Sequence, residues 1–271
     1  MRTTKRVSGE LVHGLLLLFC TQGCGDGGTQ PAPVAQHLNI VALGDSITSG
    51  LSSDQQAVPY PTVLGQRLGD KATVTFVGKP SAPTMKLHVL QPEDVSKGVP
   101  ANLDSQGGKS FREAVLEAKF DDGRGADLVL ILIGINDVAL WERSDNYSET
   151  SLYRPAMAIL RLKRISQLAL DAGVQPVLLT FWSDGDEMPA GGKSLQAVAE
   201  INRWILEQAA KDVPGVRSVD VAKAITGKPA TDAAPTKDEF HDGGFLHLNR
   251  KGYEAIADTI LVSGVLKPKG K

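Results

Sequence analysis

Cysteine is nearly absent from this sequence. Two occur in 271 residues, Cys20 and Cys24, and none follows them. The body of the chain therefore cannot close an internal disulfide, and no CxxC pair exists to hold zinc. Aromatic residues are scarce at 5%. That argues against an extended base-stacking or sugar-stacking surface, although three Trp leave room for a small patch. No charge sign dominates: the formal net charge is −2 and the pI about 6.2. A dedicated nucleic-acid binder is usually basic, so nucleic acid is not an expected partner. What is present suits a folded domain, with 42% hydrophobic and 22% charged residues. The length fits one large domain or two small ones, and a core of that size needs no covalent staples. Long disorder and collagen-like repeats are excluded by the same balance.

The two cysteines belong to an unusual start. Arg2, Lys5 and Arg6 precede an apolar run over 11–20, too short for a permanent membrane span. A basic start, a short apolar stretch and then small residues read as a secretory signal. The stretch ends in Thr21-Gln22-Gly23-Cys24, which resembles the bacterial lipoprotein cleavage box, with Thr21 standing where Leu is usual. Bulky Phe19 makes Cys20 the poorer candidate. The expectation is a signal peptide over 1–23, lipid attachment at Cys24 and an exported protein held at the cell membrane or outer envelope. A plain secretory peptide cleaved nearby, giving a secreted or periplasmic protein, is the other reading. Residues 24–37 are rich in Gly, Pro and Gln without periodicity and read as a flexible tether. Several acyl chains on one cysteine anchor stably, whereas one does not.

From residue 38 to 271 strand and helix signals alternate. Strands are expected at 38–43 (LNIVAL), 73–77, 128–133, 177–181 and 216–221. The run LVLILI at 128–133 is apolar at every position, as a strand covered on both faces must be. Helical patterns occupy about 59–69, 110–119, 151–171, 194–211 and 250–262. In the last, Tyr253, Ile256, Ile260 and Leu261 form one apolar stripe, with Asn249 as a plausible N-cap. Five strands separated by helices imply a parallel sheet with right-handed crossovers. In open sheets of this kind ligands bind beyond the carboxyl ends of the strands. The segments 78–108 and 221–246 are Pro-, Gly- and Asp-rich and long for connections, which more often marks function than idleness.

Polar blocks follow those strand ends. The first strand runs into Gly44-Asp45-Ser46 and the third into Gly134-Ile135-Asn136-Asp137. Between them lies Gln106-Gly107-Gly108-Lys109-Ser110, and near the end His247-Leu248-Asn249 precedes Lys251-Gly252-Tyr253. Each block alone reads equally well as a turn or a helix cap. In this order they resemble the SGNH hydrolase superfamily, also called the GDSL esterases and lipases, over nearly all of residues 38–265. Gly44-Asp45-Ser46 matches its first block. Gly108 with Ser110 matches the second, Gly107 being the less favoured register. Gly134 through Asp137 matches the third, Gly-x-Asn-Asp, and His247 the fourth.

The resemblance implies an α/β, flavodoxin-like three-layer sandwich with a five-stranded parallel sheet, and serine-dependent hydrolysis of esters with no metal or other cofactor. It makes Ser46 the nucleophile and His247 the base, since a hydroxyl attacks well only when a neighbour takes its proton. The Ser46 N–H, the Gly108 N–H and the Asn136 side-chain amide would form the oxyanion hole. The family's acid lies three residues before its His, a position held here by Gly244. Asp242, five before His247, is the expected acid. Asp238, in a formal Asp-x-x-His with His241, and a backbone carbonyl serving a Ser–His dyad remain open. Trp141 and Trp182 line an acyl or sugar pocket or pack as core.

Other chemistries fit less well. Gly-Lys-Ser occurs at 108–110 and 192–194, but a P-loop needs Gly five positions before its final Gly, where Leu103 and Glu187 stand. The Gly-x-Ser-x-Gly elbow is missing because Thr48 holds its last Gly position. Among esters, the expected substrates carry small acyl groups such as acetyl on carbohydrate. A lysophospholipase or lipase, and a non-catalytic envelope binding protein of the same fold, are the alternatives.

Overall fold

The computed structural model describes residues 37–84, 112–143, 145–183, 192–243 and 246–267. The expected leader, Cys24, the tether up to residue 36 and Gly108 lie outside these, whereas His37, expected as the tether's last residue, is fixed by Thr73 and the Asp70 carbonyl and belongs to the fold.

The apolar runs become strands where they were expected. β1 (Leu38–Gly44), β2 (Ala72–Gly78), β3 (Leu128–Leu132), β4 (Gln175–Leu179) and β5 (Arg217–Val219) form one sheet in the order β2-β1-β3-β4-β5. Every adjacent pair is parallel. β3 is buried at all five residues, so helices cover both sheet faces, as its unbroken apolar sequence requires. This is the flavodoxin-like strand order, in which the winding reverses between β1 and β3 and opens a crevice at their carboxyl ends.

Helices fill the connections. α1 (Ser46–Ser49) and α2 (Tyr60–Leu68) follow β1, and α3 (Ile135–Arg143) and α4 (Pro155–Asp171) follow β3. α5 (Lys193–Arg203) continues through a π-helical turn at Trp204–Gln208 into α6 (Ala209–Asp212). α7 (Val221–Thr226) follows β5, and α8 (Arg250–Val262) closes the fold. In α8 the buried side is Tyr253, Ile256, Ala257 and Ile260, the spacing of one helical face. Leu261, expected on that face, is only half-buried. Burying each large side chain contributes about 1.5–3 kcal/mol, and this face seats α8 against α2 and α7.

Two expectations are corrected. Among the described residues, 110–119 is helical only over the π-turn Arg112–Leu116. Phe120 then enters the core, and a turn with the Gly123 N–H on the Phe120 carbonyl at 2.8 Å reverses the chain before a longer helix can form. The region 221–246 is not a bare connection. Asp220 accepts from the Lys223 N–H at 3.0 Å and so caps α7, and a 3₁₀ turn follows at Ala230–Asp232.

Candidate active site

The crevice between β1 and β3 is where the polar blocks meet. β1 ends at Gly44, where a Cβ would lie 2.1 Å from Thr48 Oγ1 and 2.3 Å from the Leu132 carbonyl, so the tight exit from the strand admits only glycine. Asp45 caps α1, its Oδ1 accepting from the Ile47 N–H at 3.0 Å, a common use of Asp at this position. Ser46 is thereby fixed in the first turn, almost wholly buried. Its hydroxyl lies 3.0 Å from His247 Nε2, 201 residues later in the chain. A hydroxyl and an imidazole at this distance can exchange a proton.

The His247 loop is held from several sides. Leu248 is fully buried, and Asn249 accepts from the Gly252 N–H at 3.1 Å while donating to the carbonyls of Glu239 and His241 at 2.9 and 3.0 Å. Gly252 is needed because a Cβ there would press the Phe240 carbonyl at 2.8 Å. Trp182 Nε1 donates to the Leu246 carbonyl at 3.1 Å. Trp182 is 1% exposed, so of its two expected uses the structure assigns core packing and not a pocket wall. Trp141 is also buried and donates to the Ser148 carbonyl at 2.8 Å.

Asp242 sits in the same loop. Its N–H donates to the His247 carbonyl at 3.2 Å. Its Oδ2 accepts from the Ser53 N–H at 2.6 Å, and its carbonyl accepts from the Ser53 hydroxyl at 2.5 Å. Two more bonds fasten the 51–54 segment to the start of α8: Tyr253 Oη to the Leu51 carbonyl at 2.8 Å, and the Arg250 N–H to Asp54 Oδ2 at 3.0 Å. Asp238 lies elsewhere. It is fully exposed and faces His241 Nε2 at 3.8 Å. Leu51, Ser52, Ser53, Asp242, Gly243 and His247 line an open cavity of about 600 Å³.

From β3, Gly134 adopts φ 139° against the Phe181 ring, where a Cβ would clash at 2.7 Å. That turn delivers Asn136 in the first turn of α3. Asn136 Nδ2 donates to Asp45 Oδ2 and to the Ala82 carbonyl, each at 3.3 Å. Next to it Asp137 is fully buried, accepting from the Thr84 N–H at 2.7 Å and the Thr84 hydroxyl at 2.6 Å and facing Arg161 Nη1 at 3.5 Å. Arg161 is itself buried and donates to the Leu152 carbonyl at 2.8 Å. Sequence reasoning missed Thr84, Arg161 and Ser53. Arg161 lies on the buried side of α4 with Ala158, Leu162 and Ile165, and a cation on an apolar stripe was the one available signal.

Burial dominates the electrostatics here. It pushes the Asp45 carboxyl up to about 7, reinforced by the Asp137 charge and opposed by donation from Ile47 and Asn136. Burial also raises Asp137, against the pull of Arg161 and Thr84. The same burial lowers Arg161, which Asp137 partly restores. Among the described residues no three His, Cys, Asp or Glu side chains converge as a metal ion would require. None of their helices is long and apolar enough to cross a membrane.

The sequence pattern described as the GDSL-like Lipase/Acylhydrolase family matches residues 42–255. No curated protein matches the chain. Among solved structures, the lipase/acylhydrolase from Enterococcus faecalis superposes with a TM-score of 0.55 at 20% identity, covering 86% of this chain and 100% of its own. A GDSL-like lipase from Bacteroides thetaiotaomicron gives 0.55 at 17% identity, covering 85% and 89%. An acetyl-xylooligosaccharide esterase from a Geobacillus gives 0.55 at 14%, covering 86% and 96%. At such identities the likeness is one of fold.

Proposed function

The chain belongs to the GDSL-like lipase/acylhydrolase family, and from that premise we propose that it is a serine esterase. Its substrates on this reading are carboxylic O-acyl esters, preferentially small acyl groups such as acetyl on carbohydrate. The observation that carries the proposal is the 3.0 Å contact between Ser46 Oγ and His247 Nε2 at the carboxyl edge of the sheet.

The reaction runs in two balanced halves. His247 Nε2 takes the Ser46 proton as Oγ bonds to the ester carbonyl carbon, and the carbonyl oxygen becomes an oxyanion. Collapse breaks the bond to the alcohol, which leaves with the proton from His247, and an acyl-Ser46 ester remains. Water then attacks that ester with His247 again as base, releasing the acid and returning the proton to Ser46. On this reading the oxyanion is met by the Ser46 N–H and Asn136 Nδ2, with the N–H of Gly108, which lies outside the described residues, as the expected third donor. The Asn136 hydrogen now on the Ala82 carbonyl is the one that turns to the oxyanion, while the other stays on Asp45. Asp242 orients the imidazole through the loop it shares with His247.

Substrate preference follows from where the alcohol leaves. It takes its proton from His247, so it must lie on that side of Ser46, where the 600 Å³ cavity opens. Among the described residues its lining is Leu51, Ser52, Ser53, Asp242, Gly243 and His247, whose serine and aspartate side chains can hydrogen-bond a hydroxylated alcohol. Solved structures of this fold include lipases and an acetyl-xylooligosaccharide esterase, so fold alone does not choose. The test is a panel of nitrophenyl esters of increasing acyl length alongside acetylated xylo-oligosaccharides and a lysophospholipid. Highest kcat/KM on the acetyl compounds supports the proposal. Preference for the lysophospholipid reassigns the substrate, and no turnover of any ester, with the fold intact, points to a binding protein.

A further inference from the structure

Asp45 stands immediately before the proposed nucleophile, yet the reaction above gives its carboxylate no chemical step. Its two oxygens face different elements. Oδ1 accepts from the Ile47 N–H at 3.0 Å and so closes the first turn of α1. Oδ2 accepts from Asn136 Nδ2 at 3.3 Å, a contact across the sheet between the ends of β1 and β3. The carboxyl group is 1% exposed, so water does not compete for either oxygen. Helix capping alone needs one of them, and Ser or Asn would serve as well.

The second oxygen bears on a specific weakness of asparagine. A side-chain amide can sit with either Nδ2 or Oδ1 forward at little cost in shape. Only Nδ2 can donate to an oxyanion. In this site both described neighbours on the Nδ2 side, Asp45 Oδ2 and the Ala82 carbonyl, are acceptors, and an amide turned the other way would set oxygen against oxygen. The Ala82 carbonyl gives up its hydrogen in the reaction as proposed, so Asp45 is the partner that remains throughout. The other groups around Asp45 do not replace it: Asp137 from α3 is an acceptor already engaged by Thr84, and Tyr60 from α2 and Tyr253 from α8 are phenols that burial keeps neutral.

We infer that Asp45 is a positioning residue for the oxyanion donor, holding Asn136 with Nδ2 towards the reacting carbonyl while it caps the turn that presents Ser46. This rests on Asn136 being an oxyanion donor. A donor misplaced by an ångström can cost about 10² in rate, and one lost to the oxyanion altogether about 10²–10³.

A double-mutant cycle on the full chain tests it, with kcat and KM measured for D45N, N136A and the double variant and melting curves for each. D45N keeps an oxygen for the Ile47 cap and sets a donor against Asn136. It should lower kcat by about 10² with KM nearly unchanged. In the N136A background the same change should alter kcat by less than about threefold, because the group it acts through is gone. Should D45N not fold, D45S carries the same test, since Ser keeps the cap and cannot reach Asn136. Equal losses in both backgrounds would overturn the inference while leaving Asn136 as a donor. If S46A abolishes turnover but N136A is silent, Asn136 is no donor and the inference falls with it. Activity surviving in S46A would overturn the serine-esterase reading itself.

Discussion

At the residue scale, Ser46 and His247 make the sharpest claims. Ser46→Ala is expected to fold with an unchanged melting temperature and to lose ester hydrolysis by several orders of magnitude. A serine-reactive phosphonate should label Ser46 alone, and labelling at Ser183, a buried donor to the Ala233 carbonyl, would defeat the assignment. The acid is separable in the same way. Asp242 shares a loop and a backbone bond with His247, whereas Asp238 is exposed beside His241. Asp242→Asn is therefore expected to lower kcat by about 10²–10⁴ and Asp238→Asn by less than about tenfold. If Asp238 is the sensitive position, the acid moves there; if both are silent, the site works as a dyad. Asp45 also predicts a stability trend. Its carboxyl rises from 3.8 to about 7 on folding. Between those values the native state binds more protons than the unfolded state, so this group's contribution falls as pH rises, by up to about 1.4 kcal/mol per pH unit. Asn has no such dependence. The melting temperature of Asp45→Asn relative to wild type should climb from pH 4 to pH 7 and level off above. A flat difference would mean that Asp45 stays ionised throughout.

At the scale of elements, the strands were legible and the short helices at the site were not. An apolar run such as 128–133 has few other fates, and each expected strand overlaps an observed one, the terminal residues shifting by up to two. α1 and α3 are entered through Gly44-Asp45 and Gly134-Ile135-Asn136, blocks that also spell a turn, and at four and nine residues they are too short for periodicity to overrule that reading. The same caps that hid the helices place the functional side chains, so the motifs pointed to the site before the elements carrying them were visible. Contacts that fix the site across the chain left no local trace. The bond from Trp182 to the Leu246 carbonyl spans 64 residues and the clasp of Ser53 on Asp242 spans 189. The first is testable. Trp182→Phe keeps most of the packing and strands a carbonyl beside His247, which should cost about 1–3 kcal/mol of stability. It should lower kcat more than it changes KM, as a loosened base would. A stability loss with kcat intact would make Trp182 a purely structural residue.

At the scale of the molecule, the chain enters the folded unit far from the chemistry. His37 is pinned at the amino end of the sheet, with Nδ1 on the Asp70 carbonyl at 2.8 Å, Nε2 on Thr73 Oγ1 at 2.9 Å, and its own carbonyl held by Arg124 Nη2 at 2.8 Å. β1 then carries the chain through seven residues, about 20 Å at the rise of a strand, before Ser46. The described loops that complete the site come from the other strand ends and from the start of α8, so every described residue of the site follows His37 in the chain. On the proposal that Cys24 is acylated, anchoring and catalysis should therefore separate. Removing residues 1–36 is expected to leave kcat/KM on a soluble ester within about twofold, because no described contact of the fold is lost. In a bacterial host the full chain should fractionate with membranes, and Cys24→Ser should lose the acyl chains without losing activity. Recovery of the wild-type protein only in the soluble fraction, with Cys24 unmodified, would refute the anchor. Loss of activity in the shortened chain, despite a normal melt, would instead mean that residues before His37 contribute to the site.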